Sequence, residues 1–97
     1  MTHTEERTTS YSIDSIVEQL DRFHQRATYG AVAALLNRSP RSLMAGRSRN
    51  ERDSWIVSHK DGLPTGYEPE QAHPEIKSRV RVLSSADELA RWLENPA

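Results

Sequence analysis

TYGAVAALLNRSPRSLMAGRSRN, residues 28–50, decides how the chain is read, because it sets two short helical patterns on either side of the turn Asn37-Arg38-Ser39. Thr28 is suited to cap the first, since its hydroxyl can accept from an amide of the opening turn. The buried face of that helix would be Val32, Ala33, Leu35 and Leu36, and it ends at Asn37. Ser39 at the N-cap and Pro40 at the first helical position open the second. Proline's fixed φ suits that position and its missing N–H costs nothing there. The pattern predicts a third helix from Pro40 to about Arg47 or Arg49, with Gly46 marking an early end. Two helices joined by three residues is helix-turn-helix spacing.

Before this stretch, Ile13, Ile16, Val17, Leu20 and Phe23 form one apolar stripe at helical spacing. Ser12 can cap that helix, while Asp14 in its first turn and Arg22 near its end suit the helix dipole. Residues 1–11 are expected as a disordered tail and residues 12–97 as one domain, because the first ten are polar without an apolar period. After Arg52, Ser54-Trp55-Ile56-Val57-Ser58 is rich in β-formers and Asp61-Gly62 reads as a tight turn. Leu63–Tyr67 is the expected return strand, with Pro64 confining it to an edge. A hairpin behind a helix-turn-helix is a wing, so the expected fold is mainly α with a small β-hairpin wing. Pro74 is expected to open a short helix through Ile76 and Arg79, and Val80 and Val82 a brief extended piece. Ser85-Ala86-Asp87-Glu88 has the pattern of a capping box, and Leu89, Trp92 and Leu93 give the last helix its apolar face.

Ninety-seven residues with 35% apolar and 28% charged side chains fit one small domain. A domain of that size buries a modest core, which leaves a homodimer open. The chain has no cysteine, so disulfides, thiolate metal sites and cysteine nucleophiles are excluded. His24, His59 and His73 lack metal-ligand spacing, and neither a metal nor a cofactor is expected. No apolar run reaches the roughly 18 residues of a membrane span, and the N-terminal residues lack the apolar region of a secretory signal, so a cytoplasmic location is expected. Net charge is −1, but it is segregated. Residues 37–52 carry five arginines against one glutamate, a balance of +4, which leaves −5 for the remainder. A segregated basic patch is the electrostatic footprint of a nucleic-acid surface, although a solvated helix face has the same composition.

Residues 13–67 resemble the C-terminal domain of the O6-alkylguanine-DNA alkyltransferases and alkyltransferase-like proteins. The resemblance is carried, in order, by the helix ending near Phe23, by Arg26-Ala27-Thr28-Tyr29-Gly30, by Val32-Ala33-Ala34-Leu35-Leu36, by Ser39-Pro40-Arg41-Ser42-Leu43 with Asn50 nine residues after Arg41, and by Asp61-Gly62-Leu63-Pro64-Thr65-Gly66-Tyr67. It implies a winged helix-turn-helix. The family's reactive Pro-Cys-His-Arg would fall just before Val57, where this chain has Asp53-Ser54-Trp55-Ile56. Neither a thiol nor a histidine stands there, and a serine without an adjacent base is a poor nucleophile, so no enzymatic activity is expected. Alkyltransferase-like proteins carry Trp in place of the cysteine, and Trp55 lies one position away. The loop after Asn50 is about four residues shorter than the family's.

By position, the resemblance implies that Arg41 fills the gap left by an extruded nucleotide and that Tyr29 crowds the phosphate beside it. Arg41 as a plain phosphate contact and Tyr29 as a partly buried core aromatic are the competing readings. Trp55 and Trp92 are expected in the core. Arg38, Arg47, Arg49 and Arg52 are expected at phosphates, with Ser39 and Ser42 able to join them and Lys60 at the wing turn. Thr28 and Asn50 complete the nominated surface. The leading expectation is thus a non-enzymatic protein that binds double-stranded DNA through residues 40–50 and the arginine cluster, bending it or extruding a base. One alternative is a sequence-specific transcription regulator in which Arg41 and Ser42 read base edges in the major groove. Another is a protein-interaction module that has lost nucleic acid, to which the acidic balance and the polar segment 68–79 point.

Overall fold

The computed structural model describes residues 11–96, and the expected tail over residues 1–10 lies outside them. Helix α1 spans Ile13–Phe23. Ser12 caps it reciprocally with Ser15: the Ser15 amide donates to Ser12 Oγ at 3.1 Å and the Ser12 amide to Ser15 Oγ at 2.9 Å. Its stripe buries Ile16, Val17 and Leu20 completely, and Tyr11 packs beside the same core. The helix stops at His24, whose φ of 54° turns the chain into strand β1, Arg26–Thr28.

Thr28 ends β1 and begins helix α2, Tyr29–Leu36, its Oγ1 accepting from the Ala31 amide at 3.0 Å. Asn37 closes α2 in the left-handed region, which asparagine tolerates better than most residues. Ser39 then caps helix α3, Pro40–Leu43, by accepting from the Arg41 amide at 3.2 Å. Here the structure shortens the expected helix. The chain leaves α3 at Met44 and turns at Gly46, where φ is +78°. Residues 47–50 are irregular.

The expected hairpin is replaced by a parallel sheet. Asp53–Trp55 form a single 3-10 turn that leads into strand β2, Ile56–Val57, and a third strand, β3, covers Val82–Leu83. The order is β2-β1-β3, with Ala27 opposite Ile56 on one side and Leu83 on the other. Leu63–Tyr67 do not form a strand. Asp61-Gly62 makes the expected tight turn, in which Ser58 C=O accepts from Gly62 N–H at 2.8 Å and Ser58 N–H donates to Leu63 C=O at 2.9 Å. Pro64 then offers no donor to continue a ladder, and the chain leaves. Burial explains the parallel choice: Ile56 and Val57 are wholly enclosed, which suits a strand covered on both faces rather than a solvated wing.

The short helix expected after Pro74 is a run of turns over residues 74–77, preceded by a 3-10 turn at Pro69–Gln71. Helix α4, Ala86–Glu94, is capped by Ser85, which accepts from the Glu88 amide at 3.1 Å. The carboxylate of Glu88 reaches one residue further back than a capping box requires, to the amide and hydroxyl of Ser84. Those bonds hold its pKa below the ordinary glutamate value. Helix α2 packs against α4, α3 and α1, and the single core runs from Ile16 and Leu20 through Val32 and Leu43 to Trp55, Leu83 and Leu89. Each such large side chain contributes roughly 1.5–3 kcal/mol by leaving water. Phe23 and Trp92 close one end with an edge-to-face contact at 5.8 Å. Among the described residues the fold is therefore mixed α/β, with four helices and a three-stranded parallel sheet.

Candidate nucleic-acid interface

The basic stretch separates into two groups. Arg47 Nε donates to Asp53 Oδ2 at 2.7 Å, and its Nη2 reaches Asp53 Oδ1 at 3.1 Å and Asp14 Oδ1 at 3.0 Å. Arg52 meets the same Asp14 oxygen at 3.0 Å and lies 3.8 Å from Asp53. Two guanidinium groups thus face two carboxylates, one of them buried. The hydrogen bond to Asp53 holds the Arg47 guanidinium above its ordinary range, and the arginines, Arg47 foremost, hold Asp14 below the usual carboxylate value. Arg47 and Arg52, both nominated as phosphate contacts, are engaged in tying the loop after α3 to the first turn of α1.

Arg38 and Arg41 remain exposed at the opening of α3, and no ion pair holds either of them among the described residues. Ser39 and Ser42 are exposed beside them, although Ser42 Oγ donates to Ser39 C=O at 3.2 Å. Arg49 projects across Gly66, whose missing Cβ would lie 3.0 Å from its guanidinium. Gly66 has φ of +78°, a backbone conformation that favours glycine, while the Arg49 guanidinium above it ends a flexible side chain. Lys60 is exposed on the Ser58–Leu63 turn, its amide donating to Ser58 Oγ at 3.1 Å.

Beside Arg49 lies a cleft of about 300 Å³, walled by Tyr29, Met44, Thr65 and Tyr67. Its two phenols are anchored. Tyr29 Oη accepts from the Thr65 amide at 2.8 Å. Tyr67 Oη donates to Asn50 C=O at 2.9 Å and accepts from Asn50 N–H at 3.0 Å. Burial raises the Tyr67 pKa, and the hydrogen bond to Asn50 acts in the opposite direction. Asn50 Oδ1 in turn accepts from the Asp53 amide at 2.8 Å, so Asn50 links the arginine loop, the 3-10 turn and the loop carrying Tyr67. Tyr29 also packs at the margin of the core, as its competing reading expects, while Thr28 is buried as a cap.

Residues 53–55 form a packed wall. Ser54 is fully buried, donates to Glu51 C=O at 2.6 Å and accepts from the His73 amide at 3.0 Å. Trp55 is fully buried and donates its indole N–H to Asp21 at 2.8 Å. His24 stacks on Trp55 at 5.3 Å, and His73 lies 4.7 Å from His24 and 4.9 Å from Trp55. No local pattern announces this aromatic stack, because its three members come from distant segments. The sequence marks Asp14 only for its place in the first helical turn and Asp53 only within the family comparison, so neither is marked as an arginine partner.

No protein-family model, no characterised protein and no solved structure matches this chain. No helix among the described residues is long and apolar enough to cross a membrane. No group of three or more His, Asp or Glu side chains among them is placed to hold a metal.

Proposed function

We propose that the chain is a non-enzymatic duplex-DNA-binding protein whose contact surface is the α2–α3 corner and the Tyr29–Arg49–Tyr67 cleft beside it. The observation that carries the reading is the division among the arginines: with Arg47 and Arg52 held by carboxylates, Arg38 and Arg41 stay exposed around the capped start of α3. Exposed guanidinium groups without internal partners are what phosphate neutralisation requires. Helix α3 has four residues and cannot fill a groove along its length. Contact is therefore made by its N-terminal end. Base extrusion of the kind the alkyltransferase resemblance implies would draw on Arg41 and on the cleft.

Amide shifts during titration with a random-sequence duplex test this reading. Shifts should cluster on residues 38–49 and 65–67, and Arg38→Glu with Arg41→Glu should abolish them while leaving the fold intact. Unchanged binding by that double variant would sink the reading. A protein-interaction module is the second reading, favoured by Val80, a large apolar side chain that is 94% exposed. Failure of the DNA titration together with self-association that Val80→Ser abolishes would favour it.

A further inference from the structure

The three parallel strands run in one direction, so their carboxyl ends lie together, and in open parallel sheets that end is where ligands settle. The register places Thr28 beside Ser84, and Ser58 one residue beyond Val57 on the other side. These residues line a cleft of about 450 Å³, within the range of small-molecule sites, together with Arg26, Lys60 and His59. Thr28 Oγ1 and Ser58 Oγ each accept a backbone hydrogen bond, from Ala31 and Lys60 at 3.0 and 3.1 Å. Their hydroxyl hydrogens remain to be donated.

Arg26 supplies the charge. It is only 8% exposed, and its guanidinium donates to two carbonyl oxygens, Gly62 at 2.8 Å and Arg79 at 2.7 Å. Among the described residues no carboxylate pairs with it, and its Nε is buried without a partner. Burial accordingly lowers its pKa. An enclosed cation balanced only by carbonyl dipoles gains from an anion brought near it. The one carboxylate on the cleft wall, Asp61, is drawn to the Leu63 amide at 3.0 Å.

We infer that this cleft binds the phosphate group of a small phosphate monoester or free phosphate, held by the Thr28 and Ser58 hydroxyls and Lys60 under the field of Arg26. The site does not depend on the DNA reading, whose carriers are Arg38 and Arg41. The test titrates the full chain with inorganic phosphate at constant ionic strength, following amide signals. The expected result is saturable movement of the Thr28, Ser58, Gly62 and Ser84 amides. Lys60→Ala should weaken it roughly tenfold, the loss of one charge-assisted hydrogen bond, and Ser58→Ala should weaken it less. Arg38→Glu with Arg41→Glu should leave it unchanged. Both Lys60 and Ser58 lie on the turn outside the core, so these variants fold. Non-saturating shifts, shifts confined to residues 38–49, or an unaltered response in Lys60→Ala overturn the inference. Movement of the same amides by duplex DNA but not by phosphate also overturns it, by assigning the cleft to a nucleic-acid backbone.

Discussion

Arg47 and Asp53 form a bidentate ion pair in which the carboxylate is 2% exposed and the guanidinium side chain 20%. Breaking such a pair from one side leaves a buried charge without compensation, which costs about 3 kcal/mol or more. Asp53→Ala should therefore lower thermal stability sharply, and Arg47→Ala should do so as well. Loss of DNA affinity in Arg47→Ala would track the unfolded fraction, whereas in Arg41→Ala it would occur at unchanged melting temperature. Melting curves measured beside binding isotherms separate the two.

The salt dependence of DNA binding offers a second check. Each phosphate contact contributes about −0.9 to the slope of log affinity against log salt. Arg38→Ala and Arg41→Ala should each reduce that slope by about one such increment, and Arg52→Ala should change it little because Arg52 is paired with Asp14. Isotherms at four salt concentrations measure this.

Gly66 is a third point of leverage. At φ of +78° any other residue is strained, and a Cβ there would press on the Arg49 guanidinium 3.0 Å away. Gly66→Ala should cost roughly 1–2 kcal/mol in urea unfolding and displace Arg49 from the Tyr67 cleft. The displacement should show in the Tyr67 ring signals.

Acid should weaken the link between α1 and the arginine loop. Asp14 has its pKa lowered in the folded chain, so its contribution is present above the unfolded value and is lost as pH falls through the folded one, on the acid side of about pH 4. Asp14→Asn should flatten that acid limb of the stability profile without altering the plateau near neutrality by much, since Asp14 is 67% exposed.

The parts of the fold legible in the sequence are those set by neighbouring residues. The stripe from Ile13 to Phe23, the cap at Thr28, the Ser39-Pro40 opening and the Ser85 cap each reappear as a helix boundary. Gly46 marks an early stop, as its lack of a side chain suggests, and the buried Trp55 sits in the core. What the sequence hid is long-range. Strands of two residues carry no period, so Ile56–Val57 and Val82–Leu83 could not announce parallel partners. The Asp61-Gly62 turn is real, but a turn does not specify that ladders follow it. At the site, the clustering of five arginines over residues 37–52 was legible from charge, whereas the engagement of Arg47 and Arg52 depends on where Asp14 is folded.

Gln25 and Arg26 reach carbonyls far downstream: Gly62 lies 36 residues on, Arg79 53 and Arg81 56. The central strand is thus made before the groups that satisfy its side chains, by 36 to 56 residues. Until residues 82 and 83 have been added, β1 lacks its β3 partner, so the three-stranded sheet cannot close before then. A chain arrested before β3 would expose Ala27 and the inner face of α2 to whatever it meets.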